Sequence, residues 1–197
     1  MFLTMQGGIS MADFNKAFKI TMEHEGGYSD DPDDAGGETF RGISRKYHPD
    51  WEGWRIVLHI KQVQGKVCMT TAETEVKKFY KDHYWNPNWL DVFPQDIAEE
   101  MFDTGVNMGV KRAAQFLQQA LSYLNRNGEL YPDLVDDGII GNKTLAALNK
   151  LDRDDRDTLL TIINVLQGQH YLDYMKKSPI QEKYARGWFK RVTLTKF

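Results

Sequence analysis

Glu25 closes a stretch of helical periodicity and is followed at once by two glycines. The predicted helix covers residues 13–25, begins at the N-cap residue Asp13 and places Glu25 on its apolar stripe. Partial burial and the negative end of the helix dipole both raise the pKa of a carboxyl group at that position. A general acid must stay protonated near neutral pH, so Glu25 is the first candidate catalytic residue.

A second carboxylate for the same chemistry is available in the acidic loop that follows. Hydrolysis of a glycosidic bond requires a general acid together with a second carboxylate or a positioned water. Asp34 lies nine residues after Glu25, and Thr39 lies five residues after Asp34. Alternatively, the aspartates of this loop are solvent-exposed residues that only stabilise turns. We therefore expect Asp34, helped by Thr39, to hold or activate a water, with Asp103 as a rival second carboxylate.

The elements that must position these residues are mostly helical, and little of the chain reads as strand. Residues 35–42 are expected to form a tight hairpin or loop, and residues 48–54 a turn with two tryptophans. Thr70 and Glu73 have the spacing of a capping box, and Asn142 is expected to cap a short helix. An all-α fold is predicted, with a break near Asn86–Pro94. Helical periodicity continues over residues 70–84, 95–109, 111–126, 142–151 and 156–177.

The acidic segment resembles the signature of family 108 glycoside hydrolases, which are lysozyme-like N-acetylmuramidases found in phage endolysins and bacterial relatives. The resemblance implies that Glu25 is the catalytic acid and that no cofactor is needed. It also implies cleavage of the β-1,4 bond between N-acetylmuramic acid and N-acetylglucosamine. The order Glu, Asp, Thr is similar to phage-type lysozymes, although the step from Asp to Thr is one residue shorter here. The positions that carry the resemblance are Glu25-Gly26-Gly27-Tyr28, Asp31-Pro32, Asp34, Gly36-Gly37, Thr39 and Gly42-Ile43-Ser44.

The second half of the chain has its own likeness. "VDDGIIGNKTLAAL" is similar to the Asp-Gly-x-x-Gly-x-x-Thr pattern of helical peptidoglycan-binding modules. The segments "DTGVNMG" before it and "ARGWFKR" after it strengthen the resemblance to the peptidoglycan-binding domain that accompanies family 108. We therefore predict a lysozyme-like catalytic domain over residues 12–94 and a helical peptidoglycan-binding domain over residues 95–191.

Further residues are candidates for binding the substrate. The polar stripe on the helix after Pro94 is either a solvated face or part of the cleft, and in the second case two of its members meet the substrate. The five tryptophans are sugar platforms or, more commonly, core residues. The substrate-binding candidates are Tyr28, Asp31, Asp103, Asn107 and Trp188, and the stripe consists of Asp96, Glu100, Asp103 and Asn107.

Composition excludes several other classes. A net charge of −3 gives no basic field for nucleic acid. The single cysteine, Cys68, is expected to be buried, and the five histidines show no ligand spacing, so no metal site is expected. No apolar run reaches the ~18 residues of a membrane span, and the start lacks the features of an ordinary signal peptide. We expect synthesis in the bacterial cytoplasm, action on the cell wall in the periplasm or outside, and a monomer.

Two other functions stay open at this point. One is a non-catalytic wall-binding or secretion-assisting protein, which failure of the purified protein to lyse cell walls would favour. The other is a chitinase-like hydrolase, which an assay on chitin oligomers beside cell walls would reveal. The expected partner of the muramidase is the glycan strand of peptidoglycan.

Overall fold

The computed structural model describes residues 11–23, 26–30 and 37–192. Glu25, Asp31 and Asp34 lie outside these residues, as does the end of the predicted first helix. Three short strands form one antiparallel sheet in chain order: β1 (Tyr28–Ser29), β2 (Thr39–Phe40) and β3 (Ile43–Ser44). The α-helices of the described residues are α1 (Phe14–Met22), α2 (Gly53–Gln64), α3 (Glu73–Tyr80), α4 (Gln95–Met108), α5 (Val110–Tyr123), α6 (Asn142–Leu148), α7 (Arg153–Lys177) and α8 (Ala185–Phe189).

Helix α1 begins where the sequence predicts. The Asp13 carboxylate accepts a hydrogen bond from the Asn15 backbone amide at 2.8 Å, which satisfies one of the free N–H groups of the first turn. The residues of one face recur at helical spacing and pack on the core, whereas Ile20 lies off this face and is exposed. The buried set consists of Phe14, Ala17, Phe18, Thr21 and Met22.

The hairpin expected near residues 35–42 is present and joins β2 to β3. Its two central residues, Arg41 and Gly42, have φ angles of 48° and 77°. Two consecutive positive φ angles define the turn that matches the twist of a two-residue hairpin. Phe40 and Ile43, on either side of the turn, are fully buried and anchor the hairpin on the helices.

Helix α2 is not among the elements predicted from the sequence. Of its twelve residues, only Gly53, Trp54 and Val57 are buried. Trp54 donates its indole N–H to the His48 carbonyl at 2.9 Å, which fixes the start of the helix to the preceding turn. Trp54 is thus a core residue.

Two of the predicted helix caps are wrong. Helix α3 follows Ala72, which has a φ of 52° and makes no side-chain cap. The Thr70 and Thr71 hydroxyls instead lie 3.3 and 3.2 Å from the Cys68 sulfur, so Thr70 is not available for a capping box. The N-cap of α6 is Gly141, and Asn142 is the first helical residue.

The segment predicted to break the chain near Asn86–Pro94 consists of irregular helical turns and is not free of helix. Helix α3 runs on as a π-helix over Lys81–Trp85, and 3₁₀ turns cover Asn86–Asn88 and Leu90–Val92. Trp85 is fully buried, and its indole N–H donates to the Asp91 carboxylate at 2.9 Å. The segment therefore belongs to the core.

Helix α4 lies at the centre of the molecule. It packs against α1 on one side and against α5 and α7 on the other. The Phe102 ring lies 5.7 Å from that of Phe14 and 5.8 Å from that of Trp85, edge-on in both cases. Helices α5, α6 and α7 continue the same core beyond α4. The mainly α-helical, lysozyme-like fold class predicted from the sequence is confirmed.

Candidate active site

The small sheet places Thr39 beside the segment that follows Glu25. Strand register pairs Ser29 with Thr39 and Thr39 with Ser44. Residues paired directly across a sheet share a face, so these three hydroxyl-bearing side chains line the face opposite to the buried Phe40. The Thr39 hydroxyl donates to the Gly37 carbonyl at 3.0 Å, which leaves its lone pairs free to accept from a water.

A polar network joins the two ends of the segment that contains Asp34. Lys61, on α2, reaches Asp30 at 2.8 Å before the segment and Glu38 at 3.9 Å after it. Tyr28 receives a hydrogen bond from Lys61 and donates its own hydroxyl to Glu38 at 2.6 Å. Arg45 closes the network with an ion pair to Glu38 at 2.6 Å. We call these five residues, Tyr28, Asp30, Glu38, Arg45 and Lys61, the loop clamp.

The charges of the loop clamp reinforce one another. Hydrogen bonding and charge from Lys61 lower the pKa of Asp30, and the reciprocal interaction raises the pKa of Lys61. Burial opposes ionisation of Glu38, but hydrogen bonds from Tyr28 and Arg45 hold its pKa below the ordinary value. Burial and the hydrogen bond to Glu38 raise the pKa of Tyr28. Both acids are therefore ionised at neutral pH, which suits positioning and not proton donation.

Arg41 ties the segment after Glu25 to helix α3. Its backbone N–H donates to the Gly27 carbonyl at 3.0 Å, and its guanidinium donates to the Met69 carbonyl at 3.2 Å. The buried guanidinium also forms an ion pair with Glu73. The sequence does not predict a role for Arg41, Glu38 or Lys61. Nothing in the local pattern distinguishes the half-buried Lys61 from the other lysines, because its partners are distant in sequence.

The substrate-binding candidates of the second half fall into two connected groups. Asn107 and Trp188 line a small cavity of about 140 Å³, together with aromatic residues of α7. The Trp188 ring stacks on Tyr171 with 5.0 Å between centroids and 12° between planes. Asp103 accepts from Asn107 at 3.2 Å and pairs with Arg191 at 2.6 Å. The structure thus brings Asp103, Asn107 and Trp188 together, while Tyr28 lies in the loop clamp.

The polar stripe of α4 is not a solvated face at its centre. Burial raises the pKa of Glu100 to about 7. The negative charge of the nearby Asp103 adds to this shift, whereas the hydrogen bond that Glu100 accepts from Asn164 opposes it. Thr104 donates to Glu100 at 3.2 Å and accepts from Gln167 at 3.2 Å. The solvated reading is therefore wrong for Glu100, because α7 covers it.

The Asp-Gly-Ile-Ile-Gly motif has a structural explanation in the loop before α6. Gln118 donates to the Asp137 carboxylate at 2.9 Å and to the Ile139 carbonyl at 3.0 Å, and it accepts from the Gly138 amide at 2.9 Å. Gly138 has a φ of 78°, and a Cβ there would lie 2.9 Å from the Lys111 carbonyl. Only glycine fits this position.

Cys68 is exposed, so the expectation of a buried cysteine is wrong. Its hydrogen bond with the Thr70 hydroxyl, supported by that with Thr71, lowers the pKa of the thiol to about 7. Among the described residues, no group of three histidine, cysteine, aspartate or glutamate side chains is placed to hold a metal ion. Within the same residues, no helix has the length and apolar character that crossing a membrane requires.

Comparison with known proteins agrees with this architecture. Residues 18–109 match the family model described as "Glycosyl hydrolase 108", and residues 112–193 match that of a "Predicted Peptidoglycan domain". A solved structure titled "Structure of Brucella abortus SagA" is similar with a TM-score of 0.60 and 26% identity, over 91% of this chain and 88% of that chain. A search of curated proteins finds no match.

A lysozyme-like helical fold followed by a peptidoglycan domain defines a peptidoglycan hydrolase. Residues 18–109 carry the match to glycosyl hydrolase family 108, so the chain is a glycoside hydrolase that acts on peptidoglycan. The family signature predicted from the Glu25–Ser44 segment is thereby confirmed. The domain boundary at residues 94 and 95 stays a prediction.

Proposed function

We propose that this enzyme is an N-acetylmuramidase that cleaves the β-1,4 bond between N-acetylmuramic acid and N-acetylglucosamine in peptidoglycan. The observation that carries the proposal is the match of residues 18–109 to the glycosyl hydrolase family. Glu25, Asp34 and Thr39 all lie inside the matched range. The glycan strand is the partner, and the enzyme acts on the wall outside the cytoplasm as a monomer.

In the proposed mechanism Glu25 protonates the leaving oxygen while Asp34 activates a water on the opposite face of the sugar. Thr39 supports this role because its hydroxyl proton is used by the Gly37 carbonyl, so the oxygen can only accept from the water. Inversion of the anomeric centre is expected, with about 6.5–9.5 Å between the two carboxyl groups. The five substrate-binding candidates divide between the two halves. Tyr28 and Asp31 belong to the segment after Glu25, and Asp103, Asn107 and Trp188 belong to the second half.

The test of the proposal replaces Glu25 by Gln, which retains the shape and removes the proton donor. Loss of general acid catalysis is expected to lower the rate about a hundredfold or more while the melting temperature stays the same. Mass analysis of fragments released from purified peptidoglycan gives both the rate and the bond cleaved. Glu23→Gln is the matched control, because Glu23 is an exposed acid just after α1.

The products also decide between the proposal and its alternatives. Fragments ending in reducing N-acetylmuramic acid support the muramidase, and proton NMR of the first products is expected to show the α-anomer. Equal activity on chitin oligomers would favour a chitinase-like hydrolase, since chitin has neither lactyl groups nor peptides. Wall binding without any release of fragments by the wild-type protein would leave a binding or secretion-assisting role.

A further inference from the structure

A second cavity, far larger than the one beside Trp188, lies within the peptidoglycan domain. It has a volume of about 560 Å³ and lies between helix α6 and the loop that precedes it. We call it the α6 groove. Its lining is mainly apolar and includes small side chains, and the loop residues Val135 and Ile139 are 74% and 69% exposed. Exposed aliphatic side chains at the edge of a formed cavity indicate a surface that receives a ligand.

The acidic and basic side chains of the groove differ in the contacts that they make. Asp133 accepts from the Asn125 side chain at 2.7 Å, and Asp137 accepts from Gln118 at 2.9 Å. Lys143 and Lys150 also line the groove, and no ion pair joins either lysine to an acid in the described part of the chain. Both lysines are exposed. Within the part of the chain that the structure describes, the groove therefore has two lysines without an ion-pair partner, whereas its carboxylates accept hydrogen bonds.

This combination fits a short peptide better than a sugar chain. Sugar rings bind on exposed aromatic faces, and the ring in this lining is the half-buried Tyr131, whose hydroxyl is used by the Leu121 carbonyl at 3.0 Å. A glycan strand whose lactyl groups are amidated by peptides is uncharged, so it offers the two lysines no carboxylate as an ion-pair partner. The peptide stems of peptidoglycan alternate alanine methyl groups with free carboxylates, which match a small apolar floor edged by ammonium groups.

We propose that the α6 groove binds the stem peptide of peptidoglycan, with the peptide carboxylates at Lys143 and Lys150. This rests on the proposed function, which makes peptidoglycan the substrate, and it adds a subsite for the part of the polymer that the hydrolytic reaction does not touch. The groove would hold the enzyme on peptide-bearing strands while the catalytic half cleaves the glycan.

The test titrates the full-length Glu25→Gln protein with the soluble tripeptide L-alanyl-γ-D-glutamyl-diaminopimelate. Saturable NMR shifts of the Ile139 and Ala146 methyl groups are expected. The double variant Lys143→Met/Lys150→Met should bind the tripeptide about tenfold more weakly, since two exposed ion pairs each contribute a few-fold. Ala146→Phe, on the exposed face of α6, should block the groove with the fold intact. Lys66→Met/Lys176→Met is the matched control, because it removes the same charge from exposed sites outside the groove.

The proposal is overturned if the tripeptide gives no saturable shift, or if the double variant binds as well as its control. It is also overturned if a peptide-free glycan oligomer, and not the tripeptide, shifts these methyl groups. Hydrolysis by the wild-type protein is measured separately by fragment release. A protein that binds the tripeptide in the groove but releases no fragments would refute the muramidase and leave the peptide subsite standing.

Discussion

Lys61 holds together the two acids that flank the segment carrying Asp34. Replacing it by Met would leave Asp30 and Glu38 facing each other without a shared cation, so the loop clamp would open. A displacement of a reacting group by about 1 Å can cost a hundredfold in rate. We expect Lys61→Met to lower kcat at least tenfold with little change in KM, measured on soluble glycan strands. Lys61→Arg should restore part of the activity.

The control for this variant is Lys66→Met, at an exposed position just beyond the end of α2. It removes the same charge and should leave kcat unchanged. A normal kcat in a folded Lys61→Met protein would show that the loop clamp does not position the catalytic segment.

Asp34 and Asp103 compete for the role of second carboxylate, and their environments separate them. Asp103 is bound to Arg191 and Asn107, so Asp103→Asn should lower the melting temperature. Asp34→Asn should abolish fragment release with an unchanged melting temperature. Measuring the melting temperature and the rate of fragment release for both variants identifies which carboxylate is the general base. The roles exchange if Asp103→Asn is folded but inactive while Asp34→Asn retains its activity.

At the scale of the helices, the carboxyl group of Glu100 lies between α4 and α7. An unfolded glutamate has a pKa of about 4.3, whereas burial raises the folded value to about 7. Between these two pKa values, the folded protein binds the Glu100 proton more tightly than the unfolded protein does. The free energy of unfolding therefore contains a contribution that is complete below pH 4.3 and is lost as the pH rises through 7.

Glu100→Gln should remove this dependence. We expect the variant to be more stable than the wild type above pH 7, by an amount of order 1–3 kcal/mol, and to have a flatter stability curve between pH 5 and 8. Urea unfolding at a series of pH values measures both effects. Glu99→Gln, one residue away, provides the comparison. If the free energy of unfolding depends on pH in the same way for wild type and Glu100→Gln, the pKa of Glu100 is not shifted by folding.

The helices differ in how far the sequence predicts them, for physical reasons. Helices α1, α4, α5 and α7 carry apolar stripes, so their existence follows from periodicity. Helix α2 is not predicted from the sequence, and neither is a role for Lys61, whose partners are distant in sequence. The Thr70–Glu73 spacing predicts a capping box, but the Thr70 hydroxyl forms a hydrogen bond with the Cys68 sulfur instead. Such competing contacts are set by tertiary structure and are invisible in a local pattern.

The candidate site shows the same division. The sequence makes Glu25 and Thr39 candidates because the signature is local, and the register of the sheet places Thr39 opposite Ser29. The loop clamp depends on pairs more than thirty residues apart, such as Lys61 with Asp30. Glu100 reads as a surface acid because periodicity along α4 does not reveal which face α7 covers.

At the scale of the whole molecule, α4 joins the two matched halves into one core. Phe102 packs between Phe14 and Trp85, while the opposite side of α4 meets α5 and α7. We expect one cooperative thermal transition, because neither half can unfold without exposing this shared apolar surface. Scanning calorimetry tests it by comparing the calorimetric with the van't Hoff enthalpy. Two separate transitions would show that the halves are independent.

The exposed thiol of Cys68 provides a site for attaching a fluorescent label. The chain has a single cysteine, and with a pKa of about 7 roughly half of it is thiolate at neutral pH, so a maleimide dye couples there without mutagenesis. The next residue, Met69, would touch a Cβ placed on Gly27, two positions after Glu25. A fluorophore on Cys68 would therefore lie beside the segment proposed to be catalytic, and binding of a glycan strand there is expected to change its emission.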